Sequence, residues 1–230
     1  MSDIALIIGA SSGLGAACVT TFARAGFSVL GAARRVERIR EVIDRLDIEV
    51  GTHEALRLDV RRRDEVGSLV AELVRVNRVP RVIVYCAGIN KYGPLEEMDP
   101  EDWDDTFAVN ARGAFYVCKE FATHLKSGSR IIIVGSTAGL DPFEEGAIYC
   151  ASKAALHALA ISLRKELNPR NIFVSLITPG SMNTEFWAAG RPDSGSLLSA
   201  DAVSQLIAAV ALTPEGNCVT DLTIRPAKEF

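Results

Sequence analysis

Short runs of aliphatic and β-branched residues alternate with helix-period stretches along almost the whole of this 230-residue chain. Strand-like runs fall at Ile4 to Ile8, Phe27 to Ala33, His53 to Leu58, Val82 to Cys86, Arg130 to Val134, Ile172 to Ile177 and Asp221 to Ile224. Between them lie helical patterns from Leu14 to Ala25, Val36 to Leu46, Arg63 to Asn77, Pro100 to Phe107, Ala111 to Lys126, Tyr149 to Leu167 and Ala200 to Leu212. Alternation of this kind predicts an α/β fold: a doubly wound parallel sheet of about seven strands, helices on both faces, three layers in all. Crossovers are expected to be right-handed. Several strand runs are apolar at successive positions, as strands buried on both faces must be. No Pro/Gly/Ser-rich linker or internal repeat divides the chain, so residues 1–230 read as one domain. In such sheets ligands bind beyond the carboxyl ends of the strands, where the strand order reverses. The end of the first strand is therefore the place to look for binding chemistry.

That place holds Gly9-Ala10-Ser11-Ser12-Gly13-Leu14-Gly15, opening directly into a helix. The spacing is G-x-x-x-G-x-G, not the G-x-G-x-x-G common in dinucleotide enzymes. The physical task is the same: a tight turn brings backbone N–H groups and a helix N-terminus up to a pyrophosphate. The second strand then ends Ala32-Ala33-Arg34-Arg35. An NAD site usually places a carboxylate there for the ribose 2′-hydroxyl. A guanidinium fork suits a 2′-phosphate instead, so NADP is favoured over NAD, with Arg34 first and Arg35 second. Ser12 supplies no charge from the glycine turn. Asp59, followed by Val60, could accept from an adenine amine or cap the helix before Arg61-Arg62-Arg63.

Downstream, Tyr149 and Lys153 are four residues apart in Tyr149-Cys150-Ala151-Ser152-Lys153, with Ser136 a short way before them. Residues at i and i+4 share a helix face, so an ammonium is expected beside a phenol. A cation favours the phenolate and lowers a pKa of about 10. Bringing it near neutrality takes about 4 kcal/mol, a large demand on one lysine. A second positive charge such as an oxidised nicotinamide would help.

Bulk properties narrow the function classes. The balance of 25 Lys+Arg against 29 Asp+Glu gives a net charge of −4, which argues against a nucleic-acid partner. No apolar run reaches membrane-spanning length, and Met1-Ser2-Asp3 lacks a basic leader, so a cytoplasmic location is expected. Five cysteines, an odd number without C-x-x-C spacing, speak against a disulfide framework or metal site. His53, His124 and His157 form no ligand-like cluster, which leaves a Ser-His-Asp hydrolase poorly supported.

Taken together, these motifs resemble the short-chain dehydrogenase/reductase family in its single-domain, Rossmann-like form, from about Ile4 to Ile224. The family's glycine motif maps onto Gly9, Gly13 and Gly15, with Ser11, Ser12 and Leu14 between them. Its Asn-Asn-Ala-Gly segment maps onto Tyr85-Cys86-Ala87-Gly88, and its helix asparagine onto Asn110. Its catalytic serine maps onto Ser136 and its Tyr-x-x-x-Lys onto Tyr149 and Lys153. Its Pro-Gly maps onto Pro179-Gly180, with Thr184 where a threonine often contacts the cofactor. Two departures stand out: Ile8 replaces a common threonine, and Tyr85 and Cys86 replace both asparagines.

The resemblance implies hydride transfer between NADP(H) and a small carbonyl or alcohol. Tyr149 would act as general acid, Ser136 would hydrogen-bond the substrate oxygen, and Lys153 would lower the tyrosine pKa and hold the nicotinamide ribose. Asn110 would hold a water in a relay from Lys153. Ile89 to Leu95, Leu140 to Ile148 and Ser181 to Leu198 are candidate substrate segments. The last, containing Met182, Phe186, Trp187 and the polar stretch Arg191 to Ser196, reads as a lid. Ala111 to Lys126 and Ala151 to Leu167 are apolar on more than one face, which with the family habit implies a homodimer or homotetramer. Rival readings are a non-catalytic nucleotide sensor on the same fold, an NAD-dependent alcohol dehydrogenase, an epimerase or dehydratase using the same Tyr-Lys pair, and a ligand-free scaffold. Known sugar-nucleotide epimerases of the superfamily are longer than this chain.

Overall fold

The structure is a computed structural model that describes residues 2–48, 51–186 and 197–227. Among them, strands β1 (Ile4–Ile8), β2 (Ser28–Ala33), β3 (His53–Arg57), β4 (Val82–Tyr85), β5 (Arg130–Val134), β6 (Phe173–Pro179) and β7 (Asp221–Ile224) form one sheet ordered β3-β2-β1-β4-β5-β6-β7. Every neighbouring pair is parallel. The order runs outward in both directions from the β1/β4 pair, so the switch point lies where Ile8 faces Tyr85.

Successive side chains of β1 explain why the sheet is covered on both faces. Ala5 and Ile7 join one core with Cys18, Val19 and Phe22 of helix α1 (Gly13–Arg24), Ile39 of α2 (Val36–Asp44), and Val203 and Ile207 of α7 (Ala200–Ala211). Leu6 and Ile8 join the other core with Val66 and Val70 of α3 (Arg63–Arg75), Val117 and Phe121 of α5 (Gly113–Ala122), and Leu156 and Ala160 of α6 (Ala147–Leu167). β1, β2, β4, β5 and β6 are buried almost throughout, which accounts for their unbroken apolar runs. β3 and β7 at the two edges have exposed positions that the central strands lack. Among the described residues no helix is long and apolar enough to cross a membrane.

The helices expected separately at Pro100 to Phe107 and Ala111 to Lys126 are joined. Helix α4 (Pro100–Phe107) passes through a π turn at Ala108–Arg112 straight into α5, which ends at Ala122. A π turn carries one extra residue and misaligns the local backbone bonds. Here Tyr85 compensates: its hydroxyl donates to the Val109 carbonyl at 2.6 Å, fully buried. Gly113 makes the room, because a Cβ there would lie 2.5 Å from the Tyr85 hydroxyl.

Candidate active site

At the carboxyl ends of β1, β2, β4, β5 and β6 lies a cleft of about 620 Å³. Its floor is the glycine turn. Gly9 has φ +88°, and a Cβ on it would lie 2.6 Å from the Ala87 nitrogen beyond β4. A Cβ on Gly15 would lie 2.1 Å from the Gly9 carbonyl oxygen, so α1 can start this close to β1 only without one. Ser12 is the cap residue of α1 and makes no side-chain bond to its first turn. Ser11, Gly13, Leu14, Val60, Ala87, Gly88, Pro179, Gly180 and Thr184 all line the same cleft. Thr184 faces Gly13 across it, 3.3 Å from where a Cβ would stand.

At the end of β2, Arg34 and Arg35 both line the cleft and both are exposed. The structure distinguishes them. Arg35 donates to Ser12 Oγ at 2.9 Å and Ser11 Oγ at 3.3 Å, so its guanidinium lies against the glycine turn. Among the described residues Arg34 forms no bond of that kind, though its charge helps to lower the Asp59 pKa. Asp59 is clasped by Arg61, whose Nη2 donates at 2.7 Å and whose Nε reaches both carboxylate oxygens. That pairing holds the carboxyl below its usual range. The capping alternative does not hold: α3 begins at Arg63 with Arg62 as its cap residue.

The donor set fits a nicotinamide dinucleotide. Close-packed glycines leave a backbone cradle, the Ser12 side chain does not cap the first turn of α1, and two guanidinium groups stand at the end of β2.

Ser136 stands two residues beyond the end of β5, and Tyr149 and Lys153 stand one turn apart near the start of α6. Tight packing brings these elements together, since a Cβ on Gly139 would lie 2.9 Å from the Lys153 carbonyl carbon. Lys153 Nζ donates to the Val134 carbonyl at 3.2 Å and lies 5.8 Å from the Tyr149 ring centroid. Both residues are buried. Burial pushes the Tyr149 phenol above its ordinary value, opposed by a hydrogen bond from the Ser136 side. Burial likewise brings the Lys153 ammonium down to about 8. In this arrangement burial, rather than the Lys153 charge, sets the direction of the Tyr149 pKa. Desolvation is the leading cause for both groups, and the ammonium is directed at a carbonyl.

The sequence from residue 3 to residue 195 matches the family model described as short chain dehydrogenase. The chain belongs to the short-chain dehydrogenase family. Its members are oxidoreductases acting on CH–OH and C=O groups. It is 32% identical over 243 aligned positions to sulfoacetaldehyde reductase 2 of Chromohalobacter salexigens, covering 100% of this chain and 96% of the relative. Versicolorin reductase 1 of Aspergillus parasiticus is 30% identical over 81% of this chain and 72% of its own. A short chain dehydrogenase from Burkholderia cenocepacia, solved in complex with NADP, superposes with a TM-score of 0.90 at 29% identity, covering 99% of this chain and 98% of that one.

Within this short-chain dehydrogenase, Asn110 stands behind the cleft rather than in its wall. It is fully buried in the π turn. Its Oδ1 accepts from the Ile89 N–H at 2.8 Å, and its Nδ2 donates to the Ile89 carbonyl and to Ser152 Oγ, each at 2.9 Å. Ser152 in turn donates to the Tyr149 carbonyl at 2.7 Å. The asparagine thus ties the loop after β4 to the start of α6. The departure at Tyr85 belongs to the same construction, as it bonds the neighbouring Val109 carbonyl.

Sequence reasoning gave His157 no role. The structure places its Nε2 3.3 Å from the Ser136 N–H, as the acceptor. A Cβ on Gly135 would collide with that nitrogen at 2.3 Å. Burial, and next the Lys153 charge, hold the imidazole below the usual histidine range. Only the neutral ring accepts, and its folded pKa lies below the unfolded one. Its contribution to stability is therefore present above about pH 6.5 and lost as pH falls through the folded value. His157→Leu leaves the Ser136 N–H unpaired, which is expected to cost about 1–3 kcal/mol. Thermal denaturation from pH 7 down to pH 5 checks it: the wild-type midpoint should fall more steeply than that of the variant.

Of the expected substrate segments, Ile89, Asn90, Lys91, Tyr92, Phe143, Ser181, Met182 and Phe186 line the cleft. Met182 and Leu198 pair as a parallel bridge, which brings the two ends of the 181–198 segment together. Trp187 and Arg191 to Ser196 lie outside the described residues.

Proposed function

We propose that this chain is an NADP-linked carbonyl reductase. The single observation behind the reading is the convergence of Ser136, Tyr149 and Lys153 on a cleft whose far end carries the glycine turn and Arg34–Arg35. On this reading residues 1–230 form one nucleotide-binding domain with a substrate segment near 181–198. The turn from Gly9 to Gly15 would hold the pyrophosphate, Arg34, Arg35, Asp59 and Val60 the adenosine, and Ala87, Gly88, Tyr149, Lys153, Pro179, Gly180 and Thr184 the nicotinamide half. When bound, such a cofactor would supply the hydride that reduces a carbonyl carbon.

The protein's own residues handle the oxygen. Ser136 donates a hydrogen bond to the substrate oxygen, where negative charge develops. Tyr149 gives that oxygen its proton as general acid. Lys153, cationic below about pH 8, lowers the cost of the phenolate left behind. Asn110 keeps the Ile89 loop and the α6 start in register through Ser152, and a water relay from Lys153 would begin beside it. Phe115 on α5 and Ile161 on α6, each 43% exposed, support pairing of two copies through those helices.

Arg34→Asp and Arg35→Asp test the cofactor assignment. Each should lower the ratio of kcat/KM for NADPH over NADH by at least about tenfold, since a guanidinium–phosphate pair becomes a like-charge contact. Steady-state kinetics with both cofactors check it, and an unchanged ratio in both variants contradicts the 2′-phosphate reading.

A further inference from the structure

We propose that the substrate of this site is an uncharged carbonyl compound bearing an aromatic ring beside the C=O group; this rests on the carbonyl-reductase reading above. The chemistry is that reading's own: hydride from NADPH to the carbonyl carbon, proton to the oxygen, and NADP⁺ and an aryl alcohol as products.

The inference stands on how the substrate end of the cleft is walled. Tyr149 is flanked by Tyr92, edge-on at 5.4 Å between ring centroids and 82° between planes, and by Phe186, tilted at 5.9 Å. Phe143 meets Tyr92 edge-on at 5.5 Å. Three separate loops, after β4, β5 and β6, each send one aromatic ring to the same spot. Tyr149 and its neighbours Ala138 and Cys150 form an apolar cluster of their own, distinct from the two cores on the sheet faces, with Tyr92 and Phe186 packed against it.

Phe143 carries the argument furthest. It lines the cleft and is 48% exposed. It is also held in place: a Cβ on Gly146 would lie 2.6 Å from its ring. A ring fixed at a cleft mouth with half its surface in water gains most from a flat apolar ligand. Rings about 4.5–7 Å apart in edge-to-face array accept another ring in the same manner. Two of the charges bordering this end among the described residues are paired already. Lys91 bonds Asp102 at 2.8 Å, and Glu185 bonds Arg38 at 2.7 Å. Burial pushes the Tyr92 phenol up to about 12, so it is neutral at physiological pH.

The test compares benzaldehyde, propanal and glyoxylate as substrates with NADPH, for wild type and Phe143→Ala. Phe143 is partly exposed, so the variant should fold. The expected order of kcat/KM is benzaldehyde first and glyoxylate last. Phe143→Ala should lower the benzaldehyde-to-propanal ratio about fivefold to tenfold, through KM. Calorimetric titration of the NADPH-loaded protein with benzamide, a non-reducible aryl carbonyl, separates this inference from the reaction it rests on. Benzamide binding that Phe143→Ala weakens supports the aromatic site even without turnover of any aldehyde, in which case the reductase reading falls alone. Preferred reduction of propanal or glyoxylate, with no benzamide binding, overturns the aromatic site and leaves the reductase reading standing.

Discussion

Lys153→Met should give a protein that is more stable than the wild type and almost without turnover. Lys153 is buried, and the descent of its ammonium from an ordinary 10.5 to about 8 is caused first by desolvation. That change corresponds to about 3 kcal/mol held against the charged form in the fold. The folded value lies below the unfolded one, so the cost is fully present below about pH 8 and vanishes as pH rises towards 10.5. Methionine has a similar length and no charge. It forfeits the bond to the Val134 carbonyl, a loss of about 1 kcal/mol. The net gain is about 1–3 kcal/mol at pH 7, within the range seen when buried ions give way to apolar groups. For a chain of this size that raises Tm by roughly 2–10 °C. Calorimetry at pH 7 and pH 10 should show the gain at pH 7 and its loss at pH 10. Turnover should fall by about 10²–10⁴-fold, because the phenolate left by proton donation loses its counter-charge.

Tyr149→Phe separates the proton from the ring. Phenylalanine keeps the contacts with Tyr92 and Phe186 that pack this corner and removes only the hydroxyl. Burial holds the phenol above its ordinary value, so the hydroxyl stays protonated at neutral pH and is a donor in waiting. Without it no group in the described cleft stands in the same place relative to Ser136. The expected loss in kcat is about 10²–10⁴-fold, with the dissociation constant for NADPH changed by no more than a few-fold. Stopped-flow kinetics and fluorescence titration check the two halves. Turnover retained in the variant would remove Tyr149 from the mechanism.

The sheet was readable because its central strands are buried on both faces. Ile131, Ile132 and Ile133, or Val82, Ile83 and Val84, have no polar position at which to turn outwards. Gly9 and Gly15 were readable as a unit because two backbones that close tolerate nothing larger. The π turn at Ala108–Arg112 was not readable. It depends on Tyr85, 24 residues earlier, meeting the Val109 carbonyl over Gly113, a long-range fit that leaves no local pattern. His157 was hidden for the same reason: its partner is the backbone of Ser136, 21 residues away on another element. Spacing could put Lys153 beside Tyr149, but the directions of their pKa values follow from burial, which only the assembled cleft reveals. Arg34 and Arg35 are adjacent in sequence, and the fold alone shows which of them rests on Ser11 and Ser12.

NADPH consumption by the wild-type protein across a panel of aldehydes and ketones, with the product alcohol quantified, tests the central claim most directly. The expected result is consumption with at least one carbonyl, one alcohol formed per NADPH, and little with NADH. NADPH that binds but is consumed with none of them would contradict it and mark the cleft as a nucleotide sensor.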